Sequence, residues 1–133
     1  VGKSSKPDSG KVFPTGDHFR TWGFTLEAPL IGYVRTTQRQ KWVDPRYKRY
    51  AMWKKMIRLI GNTKGIPDKL TPADSVSVQV EVYWKKKATH DIDNVLKGVL
   101  DSLWSNDRRV VNVHAFCWEN TGKEHANIKI ERW

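Results

Sequence analysis

Val76-Ser77-Val78-Gln79-Val80-Glu81-Val82-Tyr83-Trp84 alternates side chains with a period of two along its whole length. Such alternation is the sign of a β-strand that turns one face to a core. The strand runs into Lys85-Lys86-Lys87, and after a short turn the period changes. Val95, Leu96, Val99, Leu100 and Leu103 keep the three-and-four spacing of an amphipathic helix, and Asp93-Asn94 supplies a natural N-cap region for it. A strand that hands over to a helix within a few residues is the unit from which the rest of the fold is read.

Toward the N-terminus, Trp22, Phe24 and Leu26 alternate with Thr21, Gly23 and Thr25, which predicts a strand ending near the Ala28-Pro29 turn. Ile31–Val34 is a second short extended segment. It leads into Arg35–Lys41, which has no apolar residue and reads as an exposed loop bearing Arg35, Arg39 and Lys41. Asp44-Pro45 is a helix start, a capping carboxylate followed by proline at the first helical position, and Gly61 stands where a left-handed C-cap belongs. The predicted helix runs from Pro45 to Ile60. Tyr50, Trp53, Ile57 and Ile60 form its apolar stripe, with Met56 beside them, and Arg46, Arg49, Lys54, Lys55 and Arg58 supply a basic side.

Asn62–Ala73, with two prolines and a glycine, is a loop. Toward the C-terminus, Val110–Trp118 and Asn127–Glu131 read as two more strands, joined as a hairpin through the Asn120-Thr121-Gly122 turn. The order is β-(β)-α-β-α-β-β without an internal repeat. It predicts a small α/β fold of the α+β kind: a mixed, mostly antiparallel sheet backed by two main helices.

Composition narrows the class. At 133 residues, 38% of them hydrophobic, the chain is long enough for one domain with a real core. Residues 1–17, rich in Gly, Ser, Pro and Lys, are expected to be a basic N-terminal tail, leaving residues 18–133 as the domain. A mean hydropathy of −0.66 and the lack of a long apolar run argue against a membrane span. The lone Cys117 precludes a disulfide framework or a Cys-based zinc site within the chain and suits a reducing, cytoplasmic setting. A net charge of +10 attracts polyanions, nucleic acid first among them. Carboxylates near a polyanion repel it, so a local acidic cluster in so basic a chain calls for a reason.

That cluster is Asp91 and Asp93, with Lys97 one helical turn later and Asp107 after the helix. At the exit of a strand, Asp91 and Asp93 would point to one side, where two carboxylates can share a cation. Asp107 is expected to return to the same area. Three carboxylates and a lysine make a hard-oxygen site suited to Mg²⁺. Each residue also has an ordinary structural role open to it: Asp93 as N-cap, Asp91 and Asp107 as turn acids, Lys97 paired with Asp101 across one turn. On residue chemistry alone the two accounts are about even. His18, His90, His114 and His125 show no ligand spacing, and most of the tryptophans fall on core-facing positions, with Trp42 in the basic loop the best candidate for base stacking.

The string Asp91-Ile-Asp93-Asn94-Val-Leu-Lys97-Gly-Val-Leu-Asp101-Ser-Leu103, followed by Asn106-Asp107-Arg-Arg-Val110, resembles the signature of the RusA family of Holliday-junction resolvases of bacteria, prophages and phages. The resemblance is strongest over Val76–Val113. It implies a small α/β homodimer in the cytoplasm, Mg²⁺ or Mn²⁺ as cofactor, and a four-way DNA junction as substrate. It further implies that Asp91, Asp93 and Asp107 are the essential aspartates and Lys97 the catalytic lysine. Arg35, Arg39, Lys41, Lys85, Lys86 and Lys87 are then candidates for DNA contact. The rival class is a basic nucleic-acid-binding protein without catalysis. A PD-(D/E)xK nuclease fits poorly, because Glu81 and Lys85 are four apart, and an HD phosphohydrolase would need more histidines on helices.

Overall fold

A computed structural model describes residues 19–34 and 44–133. The elements are β1 (Arg20–Glu27), α1 (Pro45–Lys64), β2 (Val76–Tyr83), α2 (Ile92–Leu103), β3 (Val110–Trp118) and β4 (His125–Arg132). The strands form one mixed sheet in the order β1-β4-β2-β3. β4 pairs antiparallel with both β1 and β2, whereas β2 and β3 are parallel. Alternation along the strands does what the sequence demands of it. Val76, Val78, Val80 and Val82 of β2, Ala126, Ile128 and Ile130 of β4, and Phe24 and Leu26 of β1 are all buried. They meet Tyr50, Trp53 and Ile57 of α1 and Val95, Val99 and Leu103 of α2 in a single core. Removing those surfaces from water is the main driving force for the fold.

The expected strand at Ile31–Val34 does not form. Its backbone donors are engaged elsewhere: Leu30 N–H donates to the Glu124 carboxylate at 2.7 Å and Tyr33 N–H to the carbonyl of Asn94 at 3.1 Å. The segment is therefore tied to the start of α2 instead of to a strand. The first helix runs one turn beyond its expected end. Gly65, at φ +83°, is the cap, with Gly65 N–H bonded to Asn62 O and Ile66 N–H to Gly61 O, the paired bonds of a Schellman ending. Gly61 is instead inside the helix, buried against Leu103 and Ile66.

The expected β3–β4 hairpin is also replaced. Between these strands lies β2, and the connection passes around its end: Thr121, Asn120 and Gly122 donate their N–H groups to the carbonyls of Trp84, Lys86 and Lys85. Asn120 and Gly122, at φ +58° and +84°, make the turn that permits this wrap. The expected basic tail, the Arg35–Lys41 loop, His18 and Trp42 lie outside the described residues. Among the described residues no helix is long and apolar enough to cross a membrane.

Candidate active site

The second helix begins two residues earlier than its sequence suggests, with Asp91 as N-cap in an extended conformation (φ −65°, ψ 145°) and Asp93 in the first turn. Asp91 is an unusual N-cap. An aspartate there ordinarily accepts a hydrogen bond from the N–H two or three residues on, as Asp44 does from Arg46 at 2.9 Å. The Asp91 carboxylate makes no such bond and has no hydrogen-bond partner among the described residues. Asp93 Oδ1 accepts from Asn94 N–H at 3.0 Å and leaves its second oxygen free. Both residues are exposed.

Lys97 follows Asp93 by four residues, one turn along the same helix face. Its ammonium makes no ion pair among the described residues. It sits 4.8 Å from the centroid of the Tyr33 ring, a cation–π contact that holds the charge without neutralising it. The Tyr33 N–H bond to Asn94 O fixes that ring against the helix, so the Leu30–Val34 segment serves the site by positioning Lys97. Gly32 allows the approach, since a Cβ there would come within 2.9 Å of His90 Nδ1.

Ala88, Thr89, His90, Asp91 and Asn94 line an open, polar cavity of about 260 Å³ at the helix start. Lys85, Lys86 and Lys87 are exposed on the loop that leads into it. That loop is held by the carbonyl bonds to residues 120–122 and by the Ala88 N–H bond to the Glu119 carboxylate. His90, which sequence spacing gave no role, thus lines the same cavity as Asp91. Tyr33 was not a candidate in the sequence at all, because nothing local marks a residue 60 positions from Asp93 as its neighbour.

Asp107 does not return to this area. It lies in the turn before β3, where its carbonyl accepts from Val110 N–H. The turn is held beside the start of β2 through Arg109 Nε donating to Asp74 O and Val76 N–H donating to Arg109 O. Asp91, by contrast, follows the end of β2. Because β2 and β3 are parallel, the crossover through α2 carries the chain the length of the sheet, and the twelve residues of α2 alone cover about 18 Å. Two aspartates on one cation at about 2–2.5 Å from each carboxylate oxygen need backbones within roughly 10 Å. Among the described residues no three His, Cys, Asp or Glu side chains gather as a metal-holding group. Asp91 and Asp93 have the donor chemistry for a hard cation, but one chain does not assemble the triad.

The remaining carboxylate of the motif has a structural role. Asp101 accepts from Tyr50 Oη at 2.7 Å and from Lys54 Nζ at 2.9 Å, which ties α2 to α1. Burial pushes its pKa up, but the hydrogen bonds from Lys54 and Tyr50 and the lysine charge hold it below the usual carboxylate value. Burial and the same carboxylate push the Tyr50 phenol well above its ordinary value, so it stays a donor.

A strand-to-helix DxDN–K segment with an uncapped aspartate, on a basic α+β scaffold, is the setting in which comparison with known families becomes decisive. The model of the endodeoxyribonuclease RusA family matches residues 32–131, most of the chain. The chain belongs to the RusA family. Comparison with curated proteins gives no match. RusA proteins are endodeoxyribonucleases that resolve four-way DNA junctions, so the basic domain seen here is of a nuclease family. The matched span begins at Gly32, which places the site-facing end of the Leu30–Val34 segment inside the family domain.

Proposed function

We propose that this RusA-family chain is a divalent-cation-dependent endonuclease that resolves four-way DNA junctions as a homodimer, with Asp91 and Asp93 of one protomer and the partner subunit's Asp107 as metal-holding carboxylates and Lys97 as the electrostatic partner of the reacting phosphate. The observation that carries the proposal is the Asp91 carboxylate: at an N-cap whose geometry invites capping, it leaves the helix N–H groups alone. An exposed, unpaired carboxylate in a chain of net charge +10 is poorly suited to DNA attraction and well suited to a cation. Mg²⁺, or Mn²⁺ in its place, would supply charge neutralisation and water activation at the scissile phosphate.

The protein's own groups do the rest. The N-cap side chain makes no capping bond, so the N–H groups of Ile92 and Asp93 in the first turn remain available to phosphate oxygens, where the helix dipole favours negative charge. Lys97, steadied on the Tyr33 ring, stabilises charge that builds on the phosphoryl oxygens, an effect worth most in a partly dry site. Lys85, Lys86 and Lys87, with Arg35, Arg39 and Lys41, follow the phosphates of the junction arms. Resolution needs two matched incisions while one chain offers one helix start of this kind, so a two-fold dimer matches the symmetry of the substrate.

Cleavage of a synthetic four-way junction with Mg²⁺, set against linear duplex of the same sequence, tests this function. The junction should be cut in preference, and chelation should stop cutting without stopping binding. Tight binding with no incision under any divalent cation would leave a non-catalytic DNA-binding protein instead.

A further inference from the structure

The outer face of α1 carries side chains that the fold does not use. Met52 and Leu59 are 71% and 66% exposed and Met56 is 40% exposed, and their spacing of four and three residues sets them in one stripe along the helix. Single exposed apolar residues are ordinary on a protein surface, but a contiguous stripe calls for a reason. It borders a cavity of about 360 Å³ whose wall is formed by Ala28, Pro29, Ile31, Met52, Trp53 and Met56, together with Arg49 and Glu27. Met52 and Met56 belong to both, so stripe and cavity are one surface.

Charge is the second observation. None of the 20 residues of α1 is acidic, and Lys48, Arg49 and Lys55, all exposed, form no ion pair among the described residues. Lys48 and Arg49 lie one turn before Met52 and Lys55 one turn after it, on the same side of the helix. The acid in the cavity wall, Glu27, is already paired with Lys123 at 3.5 Å. The apolar surface is thus framed by positive charge that nothing in the fold offsets.

These features discriminate among occupants. A phosphate backbone is held by cations and polar groups and gains nothing from two thioethers and a leucine set among them. A second copy of this face would bring like charges together. So, more weakly, would the chain's own residues 1–18, in which Lys3, Lys6 and Lys11 outnumber Asp8 and Asp17. Methionine and arginine are residues that protein interfaces favour, and the unbranched thioether adapts to differing apolar shapes. The surface fits a protein segment of opposite charge that carries large apolar side chains.

We infer that the α1 face and its cavity dock an acidic segment of a partner protein, whose large apolar side chains enter the cavity beside Met52 and Met56 while its carboxylates meet Lys48, Arg49 and Lys55. The inference does not depend on the metal site. Its place in the fold gives it a use. β1 and β2 are both antiparallel to β4 and so point the same way, which sets the cavity, at the end of β1, at the end of the sheet where Asp91 follows β2. A protein already on DNA keeps its cations on the phosphates and its acidic segments free. A dock for such a segment tethers the nuclease beside DNA and leaves Lys97, Lys85, Lys86 and Lys87 to the substrate.

A library of random displayed peptides, selected against the immobilised protein, supplies the probe. Enriched sequences should be net acidic and carry several large apolar residues. The strongest of them, labelled and titrated by fluorescence anisotropy, should lose about tenfold or more in affinity on Met52→Lys, the scale of a lost interface anchor, and about threefold on Arg49→Gln. Both positions are exposed, so the circular dichroism of each variant and its affinity for a four-way junction should match wild type. Met52→Lys adds a positive charge, so a peptide held only by general attraction to a basic chain would bind this variant as tightly as wild type or more so, and that result would overturn the docking site. Failure of the selection, or enrichment of basic sequences, would overturn it as well. Equal losses of junction and peptide affinity in Arg49→Gln would make this face a DNA surface instead, and a halved sedimenting mass in Met52→Lys would make it a contact between copies of the chain.

Discussion

Replacing Gly98 by alanine tests how α2, and with it Lys97, is seated on α1. A Cβ at this buried position would lie 2.8 Å from Cζ3 of Trp53, 3.4 Å from Cε1 of Tyr50 and 3.6 Å from Cη2 of Trp53. Neither ring can easily retreat. Trp53 is 5% and Tyr50 1% exposed, and the Tyr50 hydroxyl is held by Asp101. Alanine in place of glycine favours a helix by about 1 kcal/mol, whereas forcing a methyl group into a close-packed contact costs about 1–3 kcal/mol. With the nearest carbon below van der Waals contact, the upper part of that range applies and the net loss is about 1–2 kcal/mol. For a chain of this size that lowers Tm by roughly 3–10 °C.

Gly61→Ala is the internal control. Its nearest neighbour is Leu103 Cδ2 at 3.1 Å, the end of a flexible side chain, so small adjustments offset the clash and stability should stay within about 0.5 kcal/mol of wild type. Thermal and urea unfolding followed by circular dichroism measure both variants. A Gly98→Ala protein as stable as Gly61→Ala would show that the two helices are not in the contact described and would remove the structural basis for placing Lys97.

Asp91→Asn, Asp93→Asn and Asp107→Asn should each abolish junction cleavage yet retain or tighten binding in a gel-shift assay, because removing negative charge favours the polyanion; near-wild-type cutting by any of them excludes that residue from the site. Lys97→Ala should slow single-turnover cleavage by about 10²-fold or more, the scale of a lost electrostatic stabiliser, with little change in affinity. Asp101 has a folded pKa below its ordinary value, so its bonds to Lys54 and Tyr50 contribute stability above the usual carboxylate range, and that contribution is lost as pH falls through the folded pKa. The stability gap between wild type and Asp101→Asn should accordingly be widest near neutrality and close in acid, and a gap independent of pH would contradict the assigned pairing.

What was legible in the sequence was local. Alternation in β1, β2 and β4 and the apolar stripes of both helices report directly on which side chains face the core, and the Asp44-Pro45 cap marks α1 without ambiguity. Caps defined by glycine alone were less secure: Gly61 and Gly65 are both plausible stops, and only packing against Leu103 assigns the first to the helix interior. Long-range pairing was not legible. The Asn120-Thr121-Gly122 turn has the chemistry of a hairpin, yet the same backbone freedom serves to wrap the chain around the end of β2. The motif likewise singled out acids without showing where they stand. Proximity in sequence suggested that Asp107 comes back to Asp91, whereas a parallel crossover carries it to the other end of the sheet.

The central claim is that this protein makes paired, symmetric incisions in branched DNA, and a supercoiled plasmid that extrudes a cruciform tests it most directly. With Mg²⁺ at limiting enzyme, two incisions made within the lifetime of one complex convert supercoiled circles straight to linear molecules, with nicked circles as a minor product. Accumulation of relaxed, singly nicked circles ahead of any linear product, or equal attack on a plasmid without the cruciform, would contradict paired resolution.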